Sequence, residues 1–290
     1  MQRKSMMTQN KKKSIQGLFL LVDRKCDDGL IRWINELDRR KMPALVMADG
    51  HTVNTKPDLI KRVAEKNFDV GCSYNDGAFW PETHEDMITW LPSWMNIDKP
   101  NFKTPYEIQS AIMHHLNDTL TPLLGKTMAA FSGKYFSYDE NTLRIAEAMG
   151  IRYILARGTE KERAVFYQPE EFRPTIISVS NVPSKALGTG SLCDESLESR
   201  KETPQDFRNL LFSLDVDRVI LVAQTHISGL MQEWWDVYQE FFDSGDVVWQ
   251  GLDDFVVDPA VLPNRDIPMN KRADYMAIHL QEAKEIGEMV

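Results

Sequence analysis

Cysteine is scarce. Cys26, Cys72 and Cys193 are the only three in 290 residues, an odd number with no CxxC pair. That excludes a disulfide framework and a CxxC zinc ribbon, and it fits free thiols in a reducing compartment. Long apolar runs are missing as well. Nothing approaches the roughly 20 consecutive apolar residues that cross a bilayer. The basic residues Arg3, Lys4 and Lys11 to Lys13 precede an apolar stretch from Ile15 to Val22, but Asp23 and Arg24 follow at once and there is no small-residue cleavage site. The stretch therefore reads as a first buried strand and not as a signal peptide, with residues 1–14 a solvated leader and a cytoplasmic location expected. A basic excess is also lacking. The formal net charge is −9, which argues against nucleic acid and against a polybasic membrane contact. No GxGxxG or GxxxxGK follows a strand, so a nucleotide fold has no support.

What is present is alternation. Hydrophobic residues make up 42% of the chain, enough at this length for one large core without disulfide or metal staples. Short apolar runs read as strands: Gly17–Val22, Pro43–Ala48, Phe68–Cys72, Thr127–Phe131, Arg152–Ala156, Thr175–Val179, Val219–Ala223 and Val247–Trp249. Amphipathic segments between them read as helices, among them Gly29–Lys41, Pro57–Lys66, Tyr106–Leu120, Asp139–Met149, Pro204–Leu214, Leu230–Phe242 and a terminal Met269–Met289. Repeated strand–helix order implies a parallel sheet, and this length suits a single α/β barrel over residues 15–290. Residues 77–104 break the rhythm. They hold Trp80, Trp90, Trp94 and several prolines without a clear period, and read as an insertion after the third strand, either a functional lid or a flap packed by its own aromatics.

Three segments carry a resemblance. "PALVMADGHTVNTKPDLIKRVAEKNFDVGCSY" (Pro43 to Tyr74), "AAFSGKYFSYDENTLRIAEAMGIRYI" (Ala129 to Ile154) and "VILVAQTHISGL…VVWQGLDDF" (Val219 to Phe255) together resemble the polysaccharide deacetylase (NodB-homology) family, with some likeness to its allantoinase-like branch. The resemblance implies a distorted, possibly seven-stranded (β/α) barrel. It also implies an Asp–His–His metal site that polarises an amide carbonyl and activates water, with an aspartate base. This sequence departs from that pattern. Asp23 matches the base, but Arg24 stands at the ligand carboxylate, where a cation would repel a divalent ion. The paired histidines match Ser73 and Gly77, the orienting arginine matches Ser132, and the late histidine matches Gln224, or His226 if the register slips by two. No cofactor is therefore expected, unless a divalent metal such as zinc binds through non-family ligands, Asp76 with Asp194 for example. The allantoinase-like branch makes metal-free chemistry conceivable.

Barrel chemistry sits at the C-terminal ends of strands. On that rule Asp23, His226 and Asp194 are the catalytic candidates, with Arg24, Asn75, Asp76, Lys134, Tyr135 and Gln224 as substrate-binding candidates. Each has a plain alternative. Asp23 can be a loop carboxylate paired with Arg24 or Lys25, Asn75-Asp76-Gly77 is strong turn chemistry, and a strand-end histidine can be merely hydrogen-bonded. Asp27 and Asp28 are expected to cap a helix. Cys193, in the "GTGSLCD" loop, has no visible base partner. His114 and His115 face different ways on one helix, and Trp234 and Trp235 are expected in the core. The reading is a hydrolase of an amide in an N-acyl sugar or related carbohydrate, with Asp23 as general base and His226 as general acid. The rivals are a catalytically silent carbohydrate-binding relative, a metal-independent cyclic-amide hydrolase, and an interaction role for the 77–104 insertion. A small-molecule or carbohydrate partner is expected throughout.

Overall fold

The computed structural model describes residues 14–66, 68–75, 105–133, 136–156, 165–182 and 190–263. The expected leader (save residue 14), the 77–104 insertion, Asp76, Lys134, Tyr135 and the expected terminal helix lie outside them.

A mixed sheet curls into a distorted β/α barrel with helices on its outside. Its first strand, β1 (Ile15–Val22), is apolar on both faces, as a strand covered on both sides must be. β2 (Leu45–Asp49), β3 (Asp69–Ser73), β4 (Ala130–Ser132) and β5 (Tyr153–Ala156) follow it in parallel. β7 (Thr175–Ser178) comes next, also parallel. The antiparallel β6 (Val165–Pro169) lies on its far side, and β12 (Ala260–Leu262) beyond that. β10 (Arg218–Gln224) runs along the other side of β1. β2 and β11 (Val247–Trp249) share the remaining edge of β1, β11 against Ile15–Gly17 and β2 against Leu20–Val22. The short antiparallel pair β8 (Asn181–Val182) and β9 (Gly190–Ser191) lies near the seam. There, three bonds stand in for a ladder: Leu192 N to Ser180 O at 2.7 Å, Val222 N to Leu192 O at 3.0 Å, and Ile220 N to Ser180 Oγ at 2.9 Å. The sequence reading anticipated neither β6, β8, β9 nor β12.

Alternation along the strands separates interior from exterior. Leu18, Leu20, Val22, Leu45, Met47, Ala130, Tyr153, Leu155, Ile177, Ile220 and Val222 fill the barrel. Phe19, Leu21, Val46, Val70, Leu221 and Ala223 face outward. They meet α1 (Asp27–Arg40) and the helices beyond it. α2 (Gly50–Thr55), α3 (Pro57–Ala64), α4 (Pro105–Leu124) and α5 (Glu140–Met149) surround β2 to β5. α6 (Asp194–Glu198) follows β9; α7 (Pro204–Phe212) and α8 (Gln232–Asp243) flank β10. Trp33 of α1 stacks against Phe19 at 5.2 Å and against Trp235 of α8 at 4.6 Å between ring centroids. Trp234 and Trp235 are core residues, as expected.

One end of the barrel is plugged. α9 (Leu252–Phe255) places Leu252 and Phe255 in the interior cluster, and Leu252 N donates to Asp69 at the start of β3. The polar layer lies at the opposite end, where the strands terminate. Asp139 does cap α5, with Gly150 in the left-handed conformation after it. Asp27 and Asp28 do not cap α1. Cys26 occupies the cap position without a side-chain bond, and the two aspartates stand in the first turn, where their charge suits the helix dipole. Among the described residues, no helix is long and apolar enough to cross a membrane.

Candidate active site at the strand ends

Register and alternation bring the site together. Asp49 pairs with Ser73 and Ser73 with Ser132. All three continue the inward-facing positions of their strands, so the last inward layer of β2, β3 and β4 is polar. Asn75, just past β3, donates from Nδ2 to Asp49 Oδ2 at 2.9 Å and to Ser73 Oγ at 3.0 Å. The other oxygen of Asp49 accepts the His51 N–H at 2.8 Å, which makes Asp49 the N-cap of α2. Burial pushes its carboxyl above the usual range and nearby Asp23 pushes the same way, against the Asn75 and His51 bonds and the charge of Lys25.

Asp23, at the end of β1, is wholly buried. Among the described residues its carboxylate accepts long bonds, from Cys26 N at 3.3 Å, Asp49 N at 3.3 Å and Thr225 Oγ1 at 3.4 Å. Two carboxylates thus sit on neighbouring strand ends, with the Asp49 amide between them. Neither has an ion-pair partner among the described residues. Of the two partners offered by the plain alternative, Arg24 reaches Glu195 instead, at 2.9 Å.

His226 lies just past β10, which ends at Gln224. Its Nε2 is 3.6 Å from the same Glu195 oxygen, and its buried Nδ1 has no partner among the described residues. Burial lowers its affinity for a proton, Glu195 raises it and Arg24 lowers it. Gln224 is buried, its Oε1 without a partner and its Nε2 3.7 Å from Cys193 Sγ.

Asp194 is tied to the same strand end through its carboxylate. It is fully buried, and its carboxylate accepts N–H bonds from Glu195 (2.8 Å), Gln224 (3.0 Å) and Ser228 (3.2 Å). Burial raises its pKa to about 6 against the Ser228 side-chain bond and those N–H bonds. Through these bonds it pins the start of α6, the end of β10 and the turn carrying His226 to one another. Cys193 is also buried, and its thiol is pushed well up, so a thiolate nucleophile is disfavoured. His114 bonds within its own helix and His115 bonds Asn54, so the two histidines take separate partners.

The donors do not fit the ion site of the resemblance. Among the described residues no group of three or more His, Cys, Asp or Glu converges to hold a metal. Arg24 brings a cation, Ser73 replaces a nitrogen ligand, and the Asp194 oxygens are taken up by backbone N–H groups. Sequence reasoning missed Asp49, Glu195 and Thr225. Asp49 was within reach: "VMADG" ends an apolar strand in a carboxylate, the strand-end position that also held Asp23.

No protein-family model matches the sequence, and no curated protein is similar enough in sequence to count as a relative. Solved structures do match. A Mycobacterium smegmatis protein assigned to the polysaccharide deacetylases superposes with a TM-score of 0.57 at 13% identity, over 84% of this chain and 90% of its own. The chain has the polysaccharide deacetylase fold. Within that fold it is also similar to Puue allantoinase, with a TM-score of 0.56 at 12% identity over 84% of this chain and 90% of the allantoinase. A CE4-family pseudoenzyme, in a variant with restored enzymatic activity, gives 0.53 at 9% identity over 87% of this chain and 71% of its own. The deacetylase fold therefore carries both active and silent sites, and side chains, not topology, decide between them.

Proposed function

We propose that this chain hydrolyses an amide bond in an N-acyl sugar or a related small amide, with the Asp23–Asp49 pair as general base and His226 as general acid. The observation that carries this reading is the pair of buried carboxylates, free of any ion-pair partner among the described residues, at the C-terminal ends of neighbouring barrel strands. Burying unpaired carboxylates is costly, and such pairs are characteristic of sites that hold and move a proton. The bland account, that both merely tie strand ends together, explains the backbone bonds of Asp23 but does not require a second acid beside it.

The water oxygen attacks the acyl carbon while the acid pair takes its proton. The carbon–nitrogen bond then breaks as His226 gives a proton to the departing nitrogen, releasing an acid and an amine. No step is drawn through a metal, since the described donors do not fit one. The substrate class follows the neighbours: a polysaccharide deacetylase, a peptidoglycan N-acetylglucosamine deacetylase and an allantoinase.

The test is release of acid or amine from N-acetylglucosamine oligomers and from allantoin. Turnover that falls by about 100-fold or more in both Asp49→Asn and Asp23→Asn supports the reading. The Arg24–Glu195 ion pair and the pseudoenzyme neighbour favour a second reading, a silent carbohydrate binder. Binding of the oligomers without turnover of either compound would establish that one instead.

A further inference from the structure

We infer that Arg24 forms an acyl-oxygen subsite between the ends of β1 and β10, a place for the carbonyl oxygen of a bound amide and for the carboxylate of the released acid. The catalytic part of this rests on the hydrolase reading; the binding of a carboxylate does not.

Arg24 is held at both ends. Its backbone N–H donates to Thr225 Oγ1 at 3.0 Å, and that hydroxyl in turn donates to Asp23 Oδ1 at 3.4 Å. One hydroxyl therefore ties the Arg24 backbone to the Asp23 carboxylate. At the far end, Nη2 donates to Glu195 Oε1 at 2.9 Å. A guanidinium has five N–H donors in a planar fork and stays charged at any physiological pH. Among the described residues, Nε and Nη1 have no hydrogen bond, and 24% of the side chain remains exposed. His226 approaches the same Glu195 oxygen from the other side, at 3.6 Å. The cluster already holds a carboxylate oxygen between guanidinium and imidazole, which is the ligand chemistry proposed. Thr225 itself is gripped: a Cβ on Gly29 would come within 1.9 Å of its carbonyl oxygen, and one on Gly229 within 2.2 Å. The residue that anchors the Arg24 backbone is thus held by close backbone packing.

Amide hydrolysis without a Lewis acid needs a group to take the charge that develops on the acyl oxygen. When water attacks, the carbonyl π electrons move to that oxygen; when the C–N bond breaks, they return, and the nitrogen receives its proton from His226. A pre-positioned guanidinium stabilises that oxygen without reorganising.

Sodium acetate is the probe, titrated near pH 6 and followed by NMR at the Arg24 Nε–H and the His226 ring. The expected result is saturable shifts at both groups, with affinity at least about tenfold weaker in a folded Arg24→Gln variant. No saturation by about 100 mM acetate, or equal affinity in Arg24→Gln, overturns the subsite. Should Arg24→Gln fail to fold, the unmodified protein decides by whether its Arg24 Nε–H responds. Turnover is measured separately, so a protein that binds acetate through Arg24 but hydrolyses nothing sinks the hydrolase reading and leaves the subsite standing.

Discussion

Asn75 donates a 2.9 Å hydrogen bond to Asp49 across two adjacent strand ends. That bond favours the ionised carboxylate and opposes the burial that disfavours it. A general base must be ionised to accept a proton. Asn75→Ala should therefore raise the Asp49 pKa further and move the acidic limb of the pH–rate profile to higher pH. An unmoved acidic limb would show that Asp49 is not the titrating base.

Glu195 acts on His226 in the opposite sense to burial, keeping it more basic than its surroundings alone would allow. A general acid works in its protonated form. Glu195→Gln should lower the pKa of His226, read directly from the ring carbon shifts, and pull the basic limb of the profile to lower pH.

Asp194 links stability to pH. Its folded pKa, about 6, lies above the ordinary carboxylate value of 3.8, so the folded state prefers the protonated form. Its stabilising contribution is fully present below the unfolded value and is lost as pH rises through about 6. Over that window the loss is on the order of 3 kcal/mol. Denaturant unfolding from pH 4 to pH 7 should show this slope in the unmodified protein and a flatter one in Asp194→Asn.

Gly29 and Gly150 offer a contrast in cost. A methyl at Gly29 would strike the Thr225 carbonyl, whereas Gly150 has nothing within 4 Å and only its left-handed φ of +73° to defend. Gly29→Ala should destabilise by about 3 kcal/mol or more through overpacking. Gly150→Ala should cost about 1 kcal/mol. Similar midpoints for the two variants would contradict the close packing of α1 on the turn after β10.

The aromatic cluster around Phe19 joins β1 to α1 and α8 through Trp33, Tyr238 and Phe242. Phe19→Ala should cost about 3–5 kcal/mol, measured as a fall in unfolding free energy with the secondary-structure spectrum retained.

The sequence alone determined the barrel, because apolar runs alternating with amphipathic segments admit few other ways to bury both faces of β1, β2 and β10. It also singled out Asp23, His226 and Gln224, since strand ends can be read from where apolar runs stop. Only the tertiary structure decided which polar groups meet there. Asp49 and Asn75 are 26 residues apart, Arg24 and Glu195 are 171, and nothing in their local sequence records the pairing. Asp194 is the clearest case. In the sequence it is a carboxylate in a glycine-rich loop, open to any role. Whether its oxygens face a ligand or three backbone N–H groups depends on the seam between β7 and β10, which is formed by three long-range hydrogen bonds and leaves no periodic trace in the chain.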